Sequence, residues 1–211
     1  MIAKIVDEPT RLGSRMDALA ECSSDLVLAR ERLLSELREH ALQIGEVTLT
    51  SGARAQYYVD AKRAILRPAG FAAVGALLAA QVSQWGGTAV GGMTMGADPL
   101  ACAVLAAGAV EKAFIVRKQA KAHGLQRRIE GPTLAPADRC VVVEDVVTTG
   151  GSTLAAIDAL HEAGHTICGV VCVLDRLAGA GEPIAAAARA PYAALTTIDE
   201  VYPDRPDRTG A

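Results

Sequence analysis

The sequence predicts an α/β protein with a mostly parallel central sheet flanked by helices. From about residue 71 onward, short apolar segments alternate with segments of helical pattern. Such alternation is typical of parallel strands, which need crossover connections and are buried on both faces. The composition is 51% hydrophobic but only 3% aromatic. This composition indicates a core of small side chains, in which helices can approach one another closely.

The first predicted elements are a helix and a small antiparallel pair of strands. The helix is predicted from Ser24 onward, because leucines recur there at helical spacing among charged residues. Residues 47–49 and 57–59 are β-prone and are separated by a Ser-Gly sequence at residues 51–52. Two such segments around a turn predict an antiparallel pair.

The alternation of helices and strands follows this pair. Helices are predicted over residues 71–84, 100–109 and 152–163, and strands over residues 88–91, 113–116, 140–143 and 169–174. No internal repeat or long linker divides the chain, so we expect a single domain over residues 24–211. Residues 1–23 show no periodicity and are expected to be an N-terminal extension, and the tail from Tyr202 onward is expected to be an untethered end.

The overall charge offers no general attraction for polyanions. The 211 residues contain 21 Lys and Arg against 24 Asp and Glu, a formal net charge of −3. We therefore expect no nucleic-acid partner and no binding to an anionic membrane, and any anion site must be local. No apolar run approaches 18 residues, and the charged N-terminus does not resemble a signal peptide, so no membrane segment is expected.

The cysteines indicate a reducing compartment. Five cysteines form no C-x-x-C pair, and four of them have apolar sequence surroundings. An odd count in such surroundings favours reduced core thiols over a disulfide framework. We therefore expect a cytoplasmic protein.

An acid pair follows the predicted strand at residues 140–143. Glu144 and Asp145 come directly after it, and a Thr/Gly loop then opens a helix near Ser152. Carboxylates at this end of a parallel strand suit ribose hydroxyls or a hydrated Mg²⁺, and the helix N-terminus suits a phosphate. Together they predict a site for a phosphorylated sugar. The alternative is that the acids only end a strand and Ser152 caps a helix after a turn.

A basic segment lies between two predicted strands. Residues 117–128 carry five Lys and Arg side chains, with His123 as a sixth potential cation, and contain no acid. Like charges at this density repel one another and resist burial, so we expect a mobile loop that closes on a polyanion. The alternative is a solvated surface run. Neither G-x-G-x-x-G nor the P-loop pattern occurs, which excludes the common dinucleotide and nucleoside triphosphate motifs.

Both segments resemble those of one enzyme family. Residues 140–153, CVVVEDVVTTGGST, resemble the phosphoribosyl pyrophosphate (PRPP) motif of the type I phosphoribosyltransferases. Residues 116–131 contain RKQAKAHG, which is similar to the R-K-x-x-K-x-H-G loop of orotate phosphoribosyltransferases. The resemblance extends from about residue 25 to about residue 195 and includes YYVD at residues 57–60. Two motifs in the family's order are more specific than either alone.

The resemblance implies a fold, a reaction and an assembly. The fold is that of type I phosphoribosyltransferases, with a small N-terminal hood beside the central sheet. The reaction is transfer of the 5-phosphoribosyl group from PRPP to orotate, giving orotidine 5′-monophosphate and pyrophosphate in pyrimidine (UMP) biosynthesis, with Mg²⁺ as cofactor. The assembly is a homodimer in which the loop 117–128 is shared across subunits. The alternatives are a phosphoribosyltransferase for another nucleobase and a non-catalytic PRPP-binding regulator.

The resemblance also implies residue roles. Lys121, Glu144 and Asp145 would be catalytic, and Mg²⁺ would be held mainly through PRPP and water near the two acids. Orotate would be bound by Thr148, Arg176 and Tyr58. The PRPP-binding residues would be Arg117, Lys118, Lys121, His123, Glu144, Asp145, Val146, Val147, Thr148, Thr149, Gly150, Gly151 and Ser152.

The chain departs from the family pattern at three basic positions. Many members have Lys, Arg and Lys where this chain has Thr50, Ala53 and Met95. Each departure removes a cation that could contact an anion. Backbone N–H groups of the loop near Met95 are expected to take over part of the pyrophosphate binding.

Overall fold

The computed structural model describes residues 24–48, 54–119 and 128–208, which form two sheets with flanking helices. The helices are α1 (24–36, continuing as a π-helical turn Leu37–Ala41), α2 (Lys62–Ile65), α3 (Pro68–Gln84), α4 (Ala97–Ala106), α5 (Gly151–Glu162), α6 (Gly181–Ala188) and α7 (Ile198–Val201). The strands are β1 (Leu42–Thr48), β2 (Arg54–Val59), β3 (Ala89–Met93), β4 (Lys112–Val116), β5 (Ile129–Glu130), β6 (Arg139–Val147), β7 (Thr166–Asp175) and β8 (Tyr192–Thr197).

The central sheet is mostly parallel, as the sequence predicts. Its order is β5-β4-β3-β6-β7-β8, and only the β4–β5 pair is antiparallel. From β3 the chain adds β4 on one side, and it then returns to place β6 on the other side of β3. The strand order therefore reverses between β3 and β6. Open α/β sheets bind ligands at the carboxyl ends of the strands at such a reversal.

The core lies on both faces of this sheet. Along β6, Val141 and Val143 pack with α3 and α4 residues, whereas Cys140 and Val142 pack with α5 residues. Successive side chains of a strand point to opposite faces, so a strand covered on both sides is apolar throughout. This explains why residues 140–143 form one continuous apolar run.

A second, two-stranded sheet forms the predicted hood. β1 and β2 are antiparallel, with Leu42 opposite Val59 and Ile44 opposite Tyr57, and the register shifts between Ile44 and Val47. The antiparallel pair is thus confirmed, although both strands extend beyond their β-prone cores. Tyr57 and Val59 are buried and Tyr58 is not, which follows the two-residue period of a strand.

Several boundaries differ from the predicted ones. β6 extends to Val147, so the acid pair lies inside the strand rather than after it, and α4 begins at Ala97 instead of residue 100. The sequence pattern predicts no strand at residues 192–197, where β8 lies at the sheet edge. Its residues are mostly half-buried, so they lack the apolar run that marked the inner strands.

The prediction of an untethered tail is wrong for residues 202–208. Arg205 Nε lies 2.8 Å from Asp199 Oδ1, and Arg205 Nη1 lies 2.9 Å from Asp207 Oδ1. The Tyr202 ring also packs edge-on against Tyr57, with ring centroids 5.4 Å apart. The Pro, Asp and Arg residues of this segment predict an untethered end by composition alone, but Arg205 pairs with Asp207 within the segment and with Asp199 of α7. The division into one domain and an extension stays a prediction, because residues 1–23 lie outside the described residues.

The cysteines only partly match the prediction of reduced thiols in the core. Cys140 and Cys172 are buried, and burial raises the pKa of each to about 12, so both stay protonated. Cys168 is half-buried and Cys102 is exposed, so Cys102 is not a core thiol. Within the described ranges, no helix is long and apolar enough to cross a membrane.

Candidate active site

The acid pair is buried and is hydrogen-bonded to the start of α5. Glu144 is 4% exposed and Asp145 is 9% exposed. The Ser152 hydroxyl donates to Glu144 Oε2 at 2.7 Å, and the Thr153 hydroxyl donates to the same oxygen at 3.1 Å. Since the Ser152 hydroxyl is used in this way, it does not cap the helix, which begins at Gly151 with no side-chain cap. The predicted acid pair and the predicted helix start therefore form one structural unit.

The environment of Glu144 favours its neutral form. Burial raises the pKa of Glu144 to about 7, and the negative charge of Asp145 adds to this effect. The hydrogen bonds from Ser152 and Thr153 act in the opposite direction, because they stabilise the carboxylate. A cation or hydroxyl donors from a ligand would complete the stabilisation of the charged form.

Asp145 is paired with a lysine that the sequence analysis missed. Lys62 Nζ lies 3.2 Å from Asp145 Oδ2 and 2.8 Å from Asp60 Oδ1. Partial burial alone would lower the pKa of Lys62, but the two acids outweigh it and raise the pKa, so the lysine stays charged. The available signal was the position of Lys62, two residues after the YYVD segment. Lys62 thus provides a cation beside the acid pair, whereas Thr50 and Ala53, two of the three positions where the family has a basic residue, lie outside the described residues.

The loop at residues 148–150 and the start of α5 form an anion-binding geometry. Gly150 has φ of 76°, a left-handed conformation that favours glycine. No side chain caps α5, so its first-turn N–H groups are available to a phosphate. Among the predicted PRPP-binding residues, Val147 has its side chain in the core, 1% exposed, and its carbonyl accepts a hydrogen bond from Arg176 N at 2.9 Å. The side chain and the carbonyl of Val147 are therefore not available to a ligand.

A second loop contacts the acid pair from β3. Gly96 follows this strand, and a Cβ added there would collide with the Asp145 carboxylate. Thr94 Oγ1 donates to Asp98 Oδ2 at 2.8 Å, whereas the buried Asp98 Oδ1 has no partner among the described residues. Met95, at one position where the family has a basic residue, is 73% exposed. The loop after β3 thus meets the carboxyl end of β6 at the reversal of strand order.

The described ends of the basic segment are held by hydrogen bonds. Arg117 N donates to Arg128 O at 2.8 Å, and Arg128 Nη2 donates to Ala155 O at 3.2 Å. Arg117 Nη1 also lies 3.3 Å from Glu130 Oε1, an acid just beyond the segment. Arg117 and Arg128 therefore join the two described ends of the segment, and Lys118 is exposed beside Arg117. Lys121 and His123 lie outside the described residues, so their predicted roles stay predictions.

Arg176 contacts Tyr57 rather than an acid. Its Nη2 donates to the Tyr57 hydroxyl at 3.1 Å, and its Cζ lies 5.1 Å from the centroid of the Tyr57 ring. Asp175, the alternative ion-pair partner, instead accepts hydrogen bonds from Tyr192 Oη and Leu177 N. Because Arg176 N bonds to the Val147 carbonyl, Arg176 lies beside Thr148, its predicted partner in orotate binding. Tyr58 is 36% exposed on the face of β2 opposite to Tyr57, and its stacking role stays a prediction.

The donor set fits a metal that is held mainly by substrate and water. Within the described residues, no three His, Cys, Asp or Glu side chains form a cluster that could hold a metal ion. One oxygen of Glu144 is engaged by hydroxyls and one oxygen of Asp145 by Lys62. Mg²⁺ typically keeps several waters and binds through one or two carboxylates plus phosphate oxygens. Two acids beside a phosphate-binding loop fit that mode of binding.

The phosphoribosyl transferase domain family matches residues 63–192, more than half of the chain. An orotate phosphoribosyltransferase of Corynebacterium glutamicum (strain R) is 47% identical over 176 residues, which cover 83% of this chain and 95% of the relative. The crystal structure of Mycobacterium tuberculosis H37Rv orotate phosphoribosyltransferase with Fe(III) dicitrate superposes with a TM-score of 0.72 at 39% identity, covering 82% of this chain and 99% of that one. The structure of the same enzyme in complex with PRPP gives a TM-score of 0.67 at 33% identity, covering 82% and 91%. With the acid pair, the phosphate-binding loop and the strand order all in place, this chain belongs to the orotate phosphoribosyltransferase family.

Proposed function

We propose that this protein transfers the 5-phosphoribosyl group from PRPP to orotate, forming orotidine 5′-monophosphate and pyrophosphate, a step of pyrimidine nucleotide synthesis. The observation that carries the proposal is the buried acid pair hydrogen-bonded to the first turn of α5. This unit provides carboxylates for a ribose and N–H groups for its 5′-phosphate in one place.

The acid pair would act on the ribose. Breaking the bond at the anomeric carbon leaves positive charge on the ribose ring, and nearby carboxylates stabilise that charge. Glu144 and Asp145 would accept hydrogen bonds from the ribose hydroxyls, and Lys62 would move from Asp145 to an oxygen of PRPP. Glu144 would bind as the carboxylate, since a charged acceptor stabilises the developing cation better than a neutral one.

The basic loop would act on the leaving group. Negative charge grows on pyrophosphate as it departs, and the side chains of Lys118, Lys121 and His123 would stabilise it. Closure of the loop would also exclude water, which would otherwise hydrolyse PRPP. Arg117 and Arg128 would support this motion from the base of the loop, because a backbone hydrogen bond joins them.

Mg²⁺ would be held by the pyrophosphate oxygens of PRPP, by water and by the acid pair, and it would neutralise part of the pyrophosphate charge. The chain's own contribution is to present two carboxylates in a fixed place. Ser152 and Thr153 hold Glu144, and Lys62 holds Asp145 until substrate arrives.

Arg176 and Thr148 would bind the acceptor base. The planar guanidinium of Arg176 matches the geometry of the orotate carboxylate. Its Nη1 makes no hydrogen bond within the described residues and is free for that carboxylate, whereas its Nε is buried and has no partner there. Tyr58 would stack on the pyrimidine ring.

The active form would be a cytoplasmic homodimer in which the loop 117–128 of one subunit covers the site of the other. This arrangement can be tested by mixing two inactive variants, Lys121→Ala and Asp145→Asn. With random mixing, half of the dimers contain one subunit of each variant. Each of these dimers has one intact site of two, so about a quarter of the wild-type activity should return. If each loop covered its own site, mixing would restore nothing.

The substrate can be tested by competition among nucleobases. The purified protein is given PRPP, Mg²⁺ and an equimolar mixture of orotate, uracil, adenine and hypoxanthine. We expect orotidine 5′-monophosphate as the dominant product. Consumption of another base would indicate a different acceptor, and binding of PRPP without any product would indicate a non-catalytic regulator.

A further inference from the structure

The C-terminal segment reaches the residue that is proposed to bind orotate. This segment, Tyr202–Arg208, is here called the strap. Asp207 Oδ2 accepts a hydrogen bond from the Tyr57 hydroxyl at 3.1 Å, and that hydroxyl accepts one from Arg176 Nη2 at 3.1 Å. The strap, the hood strand β2 and the end of β7 therefore meet in one chain of hydrogen bonds.

The geometry gives each member of this chain a defined role. A tyrosine hydroxyl has one proton, which is donated to Asp207, so its oxygen lone pairs face Arg176 as an acceptor. Tyr57 is 3% exposed and its ring lies beside the guanidinium, which adds a cation–π contact. An arginine has many rotamers, and holding it by a hydroxyl and a ring face fixes one of them before the ligand arrives.

The strap is itself anchored on its other side. Arg205 is largely buried and bridges Asp199 and Asp207, with distances of 2.8 Å and 2.9 Å. The preceding helix α7 is capped by Thr197 and Glu200, and the Glu200 carbonyl accepts two hydrogen bonds from Arg38 of the π-helical turn after α1. Asp207 is thus held in position by contacts that do not involve the active site.

We infer that Tyr57 and Asp207 are positioning residues for the acceptor base: through them the C-terminal strap orients Arg176 toward the orotate carboxylate. The inference rests on the proposed role of Arg176 in orotate binding. It adds a specificity device formed by two segments that lie 150 residues apart in sequence. The strap would change affinity for the acceptor and leave binding of PRPP unaffected.

The test separates the Michaelis constants for the two substrates. Tyr57→Phe keeps the ring and removes the hydroxyl. Asp207→Ala removes the carboxylate that accepts a hydrogen bond from this hydroxyl. Each should raise the KM for orotate roughly 5- to 10-fold, with the KM for PRPP within about twofold of wild type. Asp207→Asn keeps an oxygen acceptor for Tyr57, so its KM for orotate should be much closer to the wild-type value than that of Asp207→Ala. Asp204→Ala is the matched control for Asp207→Ala, because it makes the same substitution at an exposed strap residue with no hydrogen bond or ion pair in the described part of the chain.

The outcomes distinguish this inference from the proposed function. Arg176→Lys is measured alongside, and it should raise the KM for orotate more than either positioning variant does. Arg176→Lys could raise the KM for orotate while Tyr57→Phe and Asp207→Ala behave as wild type. In that case the positioning role is wrong, and the proposed binding of orotate by Arg176 is still supported. An equal rise in both KM values, or a fall in melting temperature in proportion to the rise in the KM for orotate, would indicate that Tyr57 and Asp207 have only a structural role. An unchanged KM for orotate in Arg176→Lys would contradict both the positioning role and the proposed binding of orotate by Arg176.

Discussion

Lys62 and Asp145 form an ion pair at the centre of the candidate site, with Nζ 3.2 Å from Oδ2. They lie 83 residues apart in sequence, on α2 and β6. The pair neutralises an acid that would otherwise lie beside Glu144 with no cation, and in the proposed mechanism it must open when PRPP and Mg²⁺ bind. Lys62 is therefore both a counterion of the free site and a cation available to the substrate.

The first prediction concerns this lysine. Lys62→Met should raise the KM for PRPP roughly 5- to 20-fold, because the site loses a positive charge that offsets Asp60 and Asp145 against a polyanionic substrate. Lys62→Arg keeps the charge and should stay much closer to wild type. Steady-state kinetics with varied PRPP would measure both. Equal KM values for Met and Arg variants would show that charge at position 62 is unimportant.

The second prediction concerns the pH dependence of stability. Burial raises the pKa of Glu144 from about 4.5 to about 7, so the folded protein holds this proton more tightly than the unfolded chain. The resulting stabilisation is complete below about pH 4.5 and is lost as the pH rises toward 7. Glu144→Gln cannot ionise, so the variant should gain up to about 3 kcal/mol of unfolding free energy relative to wild type between about pH 5 and pH 8.

Denaturant unfolding of the free protein at several pH values would measure this difference. The exposed Glu162 on α5 provides the control, and Glu162→Gln should show no comparable trend. A Glu144→Gln curve parallel to wild type across this range would mean that Glu144 is ionised in the free site.

The third prediction concerns Gly96. An alanine there would place its Cβ against the Asp145 carboxylate, so either the acid or the loop after β3 must move. Gly96→Ala should lower kcat/KM for PRPP at least about 100-fold, because small displacements at a reacting centre are costly. Gly75→Ala in α3 is the control, since its new Cβ would lie 3.4 Å from that of Ala103, and it should keep near-normal activity. A fully active Gly96→Ala would show that the acid pair tolerates movement.

The fourth prediction concerns the basic loop. Lys121→Ala should lower kcat roughly 100-fold or more, because a cation on the departing pyrophosphate acts mainly in the transition state. The KM for orotate and the melting temperature should change little. Gln126→Ala in the same loop serves as the neutral control. A Lys121→Ala enzyme with normal kcat would remove this lysine from the mechanism.

The parts of the structure that the sequence could predict are those encoded locally. The apolar run at residues 140–143 predicted a buried strand, and the Thr/Gly sequence after the acids predicted a helix start with an open N-terminus. Both are confirmed, and the hydrogen bonds of Ser152 and Thr153 to Glu144 connect positions only eight and nine residues apart. Short-range patterns of this kind depend on strand and helix periodicity alone.

The parts that the sequence could not predict depend on long-range contacts. Lys62 reaches Asp145 over 83 residues, and Arg176 reaches Tyr57 over 119. The sequence pattern assigns no role to Lys62, and the role of Tyr58 follows from the family resemblance, whereas only the fold shows that Tyr57 lies on the face of β2 that meets Arg176. The prediction for the tail is wrong for the same reason, because only the fold brings Tyr57 and Asp199 into contact with it.

Transfer of the phosphoribosyl group to orotate can be measured in a turnover assay. The purified protein is mixed with orotate, PRPP and Mg²⁺, and the loss of orotate is followed by ultraviolet absorbance, with Asp145→Asn as the inactive reference. We expect orotate to be consumed only when both PRPP and Mg²⁺ are present, with one pyrophosphate released for each orotidine 5′-monophosphate formed. A wild-type protein that binds PRPP but leaves orotate unchanged would contradict this expectation.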